Sequence, residues 1–280
     1  PAGAALKFED KVWSYAGFNG WVNRIAALYQ KLGVANGDVV AIMSENRPQM
    51  LACTAAAAKL GAIAGMVNYN QRDEVLSHSL GLIKPKVMVV GDESVAAVED
   101  TEYSPLKNQN VRHLWLGDDP ALCPLGYEDL ETQTRLMPSV NPESTKTILS
   151  QQPCFYIFTS GTTGLPKASV MTHYRWLAAM AGVGGMTLGI RRKDVFYCCL
   201  PLYHNNALTV AWGSVLSMGA TLALDRKFSA SQFWERVRHY DATAFCYIGE
   251  LLRYLLNVPP SPTDRQHRIR LITGNGLRPE

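Results

Sequence analysis

Short apolar runs of the strand type alternate with helix-like segments along most of the chain. The run Val39–Met43 is followed by an Ala-rich segment at residues 48–60 and then by a second apolar run at residues 62–68. Short β-branched runs bounded by turn residues are typical of buried strands, and a period near 3.6 is typical of helices. Because parallel strands need helical crossovers, this alternation predicts an α/β fold with largely parallel sheets.

The same alternation continues to the end of the chain, with a more polar interval at residues 100–150. The further predicted strands are residues 86–90, 111–116, 195–200, 220–224, 242–248 and 269–273, and the further helices are residues 72–83, 207–218, 230–240 and 250–257. Residues 141–145, Asn-Pro-Glu-Ser-Thr, have the composition of a linker. We therefore expect two strand–helix–strand subdomains, at residues 1–150 and 151–280. The strands of the second subdomain would form a second parallel sheet or the other half of one large sheet.

Charge is distributed unevenly between the two halves. The net charge of +3 is too small to indicate a nucleic-acid partner. Residues 1–150 carry 13 Lys and Arg against 17 Asp and Glu, whereas residues 151–280 carry 14 against 7. The second half is thus the better place for an anionic ligand, although chance surface charge explains the asymmetry equally well.

The cysteines and the apolar segments exclude several classes of protein. The 6 cysteines form no CxxC pair and no cluster with zinc spacing, so we expect reduced, buried thiols and no metal site. The first residues lack a basic segment followed by an apolar one, which favours a cytoplasmic location. Residues 195–224 contain one Pro, one His and two Asn between apolar runs, and they fit a buried core better than a membrane span.

A loop rich in hydroxyls and glycines follows the apolar run that begins at Cys154. It contains Thr159, Ser160, Gly161, Thr162, Thr163 and Gly164, and Lys167 follows three residues later. Such a loop offers backbone amides, hydroxyls and a mobile cation, which together favour phosphate binding. A Walker loop is rejected, because Lys167 follows Pro166 and precedes Ala168, and because the next residues alternate like a strand. The alternative is an ordinary hairpin turn, which does not need so many hydroxyls.

Polar or glycine-rich positions follow several of the predicted strands. These positions are Thr159, His204, Gly249 and Gly274. Ligands of parallel α/β sheets bind at the carboxyl ends of strands, so we expect the four positions to converge on one rim.

Several of these segments resemble one family. Residues 158–167, Phe-Thr-Ser-Gly-Thr-Thr-Gly-Leu-Pro-Lys, resemble the signature of the adenylate-forming superfamily, which contains acyl-CoA synthetases, luciferases and peptide-synthetase adenylation domains. Residues 200–206 resemble the superfamily's aromatic-His motif beside the carboxylate. The segments at 61–68, 172–176, 247–254 and 274–279 resemble the fatty acid transport protein branch, which contains long- and very-long-chain acyl-CoA synthetases. Ala168 replaces the glycine of most of the superfamily, as expected for this branch.

The resemblance implies roles for the candidate residues. Residues 159–164 and Lys167 would hold the phosphates of ATP, and His204 would orient the substrate carboxylate. On spacing alone, a hydrogen-bonded core histidine is the better reading of His204. Gly274, Asn275 and Gly276 would line the adenine and the start of an acyl tunnel, with a plain turn as the alternative. Tyr247 and Gly249 would line the tunnel, with a simple strand end as the alternative.

The resemblance also implies the reaction and its participants. A fatty acid carboxylate would attack ATP to give acyl-AMP, and coenzyme A would then displace AMP, with Mg²⁺ assisting. The glutamate for Mg²⁺, the aspartate for ribose and the small C-terminal domain of the family are not found in this sequence. We therefore expect an incomplete N-terminal domain of an adenylate-forming enzyme that is inactive alone.

Two functions of different classes remain open at this point. The first is an ATP-dependent long-chain fatty acyl-CoA ligase, and the second is a module that binds or imports fatty acids without complete catalysis. Contact with a membrane surface and the oligomeric state are left open by the sequence.

Overall fold

The computed structural model describes residues 2–159 and 164–276, which form an α/β fold with two sheets. The strands are β1 (Ala4–Phe8), β2 (Lys11–Ser14), β3 (Val39–Met43), β4 (Ile63–Met66), β5 (Val87–Gly91), β6 (Arg112–Leu116), β7 (Glu128–Asp129), β8 (Pro153–Thr159), β9 (Lys167–Thr172), β10 (Val195–Cys198), β11 (Thr221–Leu224), β12 (Ala244–Ile248) and β13 (Leu271–Asn275).

Helices of three kinds connect these strands. The α-helices are α1 (Tyr15–Lys31), α2 (Pro48–Lys59), α3 (Asp73–Ile83), α4 (Val95–Glu99), α5 (Leu130–Thr134), α6 (His173–Ala179), α7 (Gly213–Met218), α8 (Phe233–His239) and α9 (Glu250–Leu256). Two segments, Met180–Thr187 and Asn206–Trp212, are π-helical, and three short 3₁₀ turns cover Asp92–Ser94, Pro120–Leu122 and Glu143–Lys146.

The chain divides into two compact units, each built around one sheet. The six-stranded unit comprises Pro1–Ala16, Asn46–Pro48 and Trp176–Glu280, and the seven-stranded unit comprises Gly17–Glu45 and Gln49–Arg175. The boundary expected at residue 150 therefore differs from the units of the structure. The cause is β8, which pairs in parallel with β4 of the seven-stranded sheet. β9 pairs with β8 and therefore belongs to the same sheet.

The seven-stranded sheet has the order β7-β6-β5-β3-β4-β8-β9 and is parallel except for the β8–β9 hairpin. Every residue of β3, β4 and β5 is buried. Strands covered on both faces consist of continuous apolar residues, which explains why these runs show no alternation. Gly65 in β4 leaves room for a neighbouring side chain, because a Cβ there would lie 2.5 Å from Ile83 Cδ1 of α3.

The six-stranded sheet has the order β13-β12-β10-β11-β1-β2, in which only the β1–β2 pair is antiparallel. Asp194, Thr243 and Arg270 immediately precede β10, β12 and β13, which are adjacent strands. Asp194 Oδ1 accepts hydrogen bonds from Thr243 Oγ1 (2.9 Å) and Arg270 Nε (3.0 Å). The amino ends of three parallel strands are thus joined around one buried carboxylate.

The predicted elements agree with the structure in kind, with one exception. The strand at Val39–Met43 has the predicted bounds, and the helices predicted at residues 72–83 and 250–257 appear as α3 and α9. The helix predicted at 207–218 instead begins as the π-helical segment Asn206–Trp212 and continues as α7. A π-helix is uncommon and often lies at a functional site.

Within the described residues, no helix is both long enough and apolar enough to cross a membrane. The apolar residues of 195–224 are distributed over β10, the π-helical segment, α7 and β11, as predicted for a buried segment. Cys53, Cys154, Cys198, Cys199 and Cys246 are free and buried, whereas Cys123 is free and half-buried.

Candidate functional site

The hydroxyl-rich segment connects β8 and β9 in the sequence, and these two strands pair in antiparallel. Thr159, the last residue of β8, is paired opposite Lys167, the first residue of β9. Both residues are exposed, whereas Phe155 and Phe158 of β8 are buried and fix the hairpin in the sheet. The expectation that a strand, and not a Walker-type helix, follows Lys167 is confirmed by β9.

The expected phosphate loop is described only at its two ends. Ser160, Gly161, Thr162 and Thr163 lie outside the described residues. Gly164 has φ +90°, which favours glycine, and a Cβ placed there meets nothing within 4 Å.

Helix α3 contacts the hairpin beside Lys167. His78 Nε2 lies 3.1 Å from Pro166 O, and because the carbonyl only accepts, the ring nitrogen donates this hydrogen bond. His78, Leu82, Tyr156 and Lys167 are among the residues that surround a cavity of about 460 Å³. His78 does not stand out in the sequence, since 88 residues separate it from its partner.

The loop that carries His204 follows β10 in the six-stranded unit. The backbone N–H of His204 donates to Pro201 O (3.0 Å), and His204 O accepts from the backbone N–H of Leu208 (3.1 Å). The half-buried ring lies 4.5 Å, centroid to centroid, from the ring of Tyr203. Within the described residues, neither ring nitrogen has a hydrogen-bond partner, which argues against a hydrogen-bonded core histidine.

Burial lowers the pKa of His204 below its ordinary value, because a charged imidazolium is poorly solvated there. The ring is therefore neutral at pH 7. A neutral imidazole can donate one N–H to an anionic oxygen and can accept at its other nitrogen.

The carboxyl ends of β12 and β13 hold the predicted glycines at a close approach of two backbones. Tyr247 pairs with Gly274, and the backbone N–H of Gly249 donates to Asn275 O (2.8 Å). A Cβ at Gly249 would lie 2.7 Å from Gly276 O, and one at Gly274 would lie 2.6 Å from Tyr247 Cδ1. Gly249 and Gly274 therefore require glycine for packing, and Gly249 lies between β12 and α9, as in the strand-end alternative.

An amide contact joins this pair of strands to the His204 loop. Asn206 Nδ2 donates to Asn275 Oδ1 at 3.4 Å. The structure thus brings the residues following β10, β12 and β13 to one rim of the six-stranded sheet.

The expectation that Thr159 shares this rim is wrong at the level of the sheet, because Thr159 ends β8 of the seven-stranded sheet. Gly274 also lies within β13 and not after it.

A second, polar cavity of about 330 Å³ lies beside β10 and β11 of the six-stranded unit, lined in part by Tyr197, Asp225 and Arg236. The hydroxyl of Tyr197 donates to Asp225 Oδ2 at 2.8 Å. Burial raises the pKa of Asp225, and the bond from Tyr197 only partly offsets this effect.

The described part of the chain contains no group of three His, Cys, Asp or Glu side chains arranged to hold a metal ion. At the mouth of the β8–β9 hairpin, the described residues supply a hydroxyl and a lysine. Mg²⁺ prefers carboxylate and other oxygen ligands, so these residues fit a phosphate group and do not themselves form a Mg²⁺ site.

Comparison with known proteins shows the family. The model of the AMP-binding enzyme family matches residues 1–280. A medium/long-chain-fatty-acid–CoA ligase, FadD6, of Mycobacterium tuberculosis is 52% identical over 275 residues, covering 98% of this chain and 44% of its own length. Long-chain fatty acid transport protein 1 of Rattus norvegicus is 39% identical, covering 95% of this chain and 41% of its own length.

Solved structures show the same fold. The anthranilate CoA ligase AuaEII, in complex with anthranoyl-AMP, matches with a TM-score of 0.85 at 20% identity, over 97% of this chain and 51% of its own. The chain therefore spans less than half the length of the two relatives above. By its match over the whole length and by the identity of these relatives, the chain belongs to the AMP-binding enzyme family.

Proposed function

We propose that this chain supplies the ATP-phosphate and carboxylate sites of an AMP-forming long-chain fatty acyl-CoA ligase. The observation that carries the proposal is the β8–β9 hairpin, which sets Lys167 opposite Thr159 at the mouth of a loop of hydroxyls and glycines. The relatives are named fatty-acid–CoA ligase and fatty acid transport protein, which supports a fatty acid as the acid substrate.

The first step joins two anions, and positively charged or donor groups are needed to offset their repulsion. A carboxylate oxygen attacks the α-phosphorus of ATP, the bond to the β-phosphate breaks, and pyrophosphate leaves. Lys167 provides a cation that follows the phosphates on a flexible stem, and the loop amides and hydroxyls provide donors. Positioning and electrostatic stabilisation of this kind supply most of the catalysis in phosphoryl transfer.

His204 is the candidate for orienting the acid. A neutral ring without a partner in the described residues can donate an N–H to the attacking carboxylate or to the acyl-phosphate oxygen. Asn275 and the three glycines around it would then form the floor that accommodates the adenine and the first carbons of the acyl chain.

The second step transfers the acyl group to coenzyme A. The thiol sulfur attacks the acyl carbonyl, the bond to AMP breaks, AMP leaves as the phosphate anion, and the thiol proton passes to solvent. ATP, Mg²⁺ and coenzyme A remain the proposed participants, with Mg²⁺ carried by the phosphates of ATP. A cytoplasmic location and peripheral contact with a membrane stay predictions from the sequence.

Fatty-acid-dependent exchange of labelled pyrophosphate into ATP tests this function in the polypeptide at its native length. Lys167→Ala is expected to lower the exchange rate by about 10²–10³-fold, the usual effect of removing one preorganised donor. Lys31→Ala is the matched control, because Lys31 is an exposed lysine at the end of α1 in the same unit.

Equal exchange by the Lys167→Ala variant and the unchanged protein would remove Lys167 from the site. Fatty acid binding without any exchange would favour the alternative, a binding or import module, to which the name of the transport-protein relatives points.

A further inference from the structure

The side chain of Asn46 is buried, with 1% exposure, and it makes three hydrogen bonds within the six-stranded unit. Its Nδ2 donates to Leu200 O (2.8 Å) and to Asp225 O (3.0 Å). Its Oδ1 accepts from the backbone N–H of Leu202 (2.8 Å). Both amide hydrogens and the amide oxygen are therefore used, and all three partners are backbone groups.

These backbone groups lie where the chain leaves the sheet. β10 ends at Cys198 and the neighbouring strand β11 ends at Leu224. Just beyond these ends, Asp225 N donates to Cys198 O (2.9 Å). Beyond this bond, no strand of the described residues pairs with Leu200 or Leu202, and buried backbone groups without partners are costly. The Asn46 amide makes the hydrogen bonds that a neighbouring strand would otherwise make, because it accepts from Leu202 N and donates to Leu200 O.

Asn46 thereby sets the direction of the segment that carries His204. Leu202 is two residues before His204, and the turn from Pro201 to His204 begins inside the segment that the amide holds. The bond to Asp225 O holds the residue after β11 against the same amide. A rotation of the Leu200–Leu202 backbone would move the His204 ring with it.

We infer that Asn46 is a positioning residue for acyl-AMP formation, which acts by fixing the His204 loop against the carboxyl ends of β10 and β11. This inference rests on the proposed role of His204. The amide touches no reacting atom, so its effect on the reaction passes through His204. Asp in place of Asn cannot substitute, because a carboxylate oxygen would face the carbonyl oxygens of Leu200 and Asp225.

The test compares Asn46→Ala with Thr243→Val in the polypeptide at its native length. Thr243 is a matched control, because it is buried in the same unit and its Oγ1 accepts from Val195 N (3.1 Å) and donates to Asp194 Oδ1 (2.9 Å) at the opposite end of β10. Both variants lose buried hydrogen bonds. Of the two side chains that are removed, only Asn46 is bonded to the segment that carries His204.

We expect Asn46→Ala to lower kcat of pyrophosphate exchange by about 10–100-fold, the range for small misplacement of a catalytic group. KM for ATP should stay within about twofold. Thr243→Val should lower the melting temperature and leave kcat within about twofold when assayed well below that temperature. Loss of kcat in both variants would mean that Asn46 only stabilises the fold and would overturn the inference.

A double-mutant cycle with His204→Ala separates this inference from the proposed function. If Asn46 acts through His204, Asn46→Ala should change kcat by less than about twofold in a His204→Ala background. Independent, multiplying effects would overturn the inference while leaving His204 in place. If His204→Ala itself leaves kcat unchanged, the proposed role of His204 fails, and the inference fails with it.

Where Asn46→Ala does not fold, the cycle is measured with Asn46→Ser, whose hydroxyl keeps one donor and acceptor one bond closer to the backbone than the amide. The same criterion applies to it: an effect that disappears in the His204→Ala background supports the inference, and an effect that persists there refutes it.

Discussion

Replacing Asp194 with Asn tests whether the buried carboxylate at the amino ends of β10, β12 and β13 stabilises the six-stranded unit. The Asp194 side chain is 2% exposed. Its Oδ1 accepts from Thr243 Oγ1 and Arg270 Nε, and its Oδ2 accepts from Arg191 N (2.7 Å) and from Arg270 Nη2. In Asp194→Asn, an NH₂ group replaces one carboxylate oxygen. Because NH₂ donates and does not accept, the two hydrogen bonds that this oxygen accepted are lost.

The expected loss follows from the two bonds at Oδ2. A hydrogen bond to a charged group contributes about 1.5–3 kcal/mol, and breaking a buried ion pair costs about 3–5 kcal/mol. The Arg270 side chain is 35% exposed, so solvent screens its charge and the upper end of this range does not apply. We expect the free energy of unfolding to fall by about 2–4 kcal/mol, which corresponds to a melting temperature lower by roughly 5–15 °C.

The pH dependence of this loss has a definite sign. Burial alone would raise the pKa of Asp194, but the bonds from Arg270, Arg191 and Thr243 outweigh it and the pKa lies below its ordinary value. A lowered pKa stabilises the fold above the pKa of the unfolded chain, about 3.9, and this contribution is lost as the pH falls through the folded value. The difference between the two proteins should thus be constant above about pH 5 and should shrink in more acidic solution.

Thermal denaturation followed by circular dichroism at several pH values measures both effects. Asp10→Asn is the control, because Asp10 lies in the same unit with a side chain that is 97% exposed. A melting temperature of Asp194→Asn within about 2 °C of the unchanged protein at pH 7 would refute the reasoning, since it corresponds to at most about 1 kcal/mol. A difference in melting temperature that grows on acidification would refute the claim that the ionised Asp194 carboxylate stabilises the fold.

Three further predictions concern the carboxyl ends of strands in the same six-stranded sheet. Asp225→Asn keeps an acceptor for the Tyr197 hydroxyl and removes a poorly solvated charge. Because the pKa of Asp225 is raised, its ionised form costs stability at pH 7, so this variant should melt at the same or a higher temperature, with an advantage that shrinks on acidification. Gly274→Ala should cost about 1–3 kcal/mol in urea denaturation through overpacking, whereas Gly182→Ala, where a Cβ meets nothing within 4 Å, should cost less. The rate of pyrophosphate exchange should stay level as the pH falls through 6.5, since the pKa of His204 is lowered, and His204→Gln should remove any decline seen below that pH.

Local patterns in the sequence predicted most elements of the fold because those elements are periodic over many residues. β3 and α3 are examples, because the pattern of apolar residues within each segment is enough to predict a strand or a helix. The placement of the β8–β9 hairpin could not be predicted in this way. It depends on the pairing of Ala64 with Phe155, which no local period records.

The candidate site was predictable where a residue type is itself informative. Gly274 and Gly249 stand out because only glycine permits the observed approach of two backbones. Asn46 and His78 do not stand out, because each acts through backbone partners 154 and 88 residues away, respectively. A lone Asn before a helix is more simply taken as a turn residue.

The position of the Asp194 anchor has a consequence for how such a chain can diverge. The anchor lies before β10, and the His204 loop follows the same strand, which has 4 residues and spans about 13 Å. Mutations that reshape the loops at one end therefore do not touch the charge network at the other. Under the proposed function, substitutions in the His204 loop can therefore change the acid that is accepted while the four hydrogen bonds of Asp194 at the other end of β10 are kept.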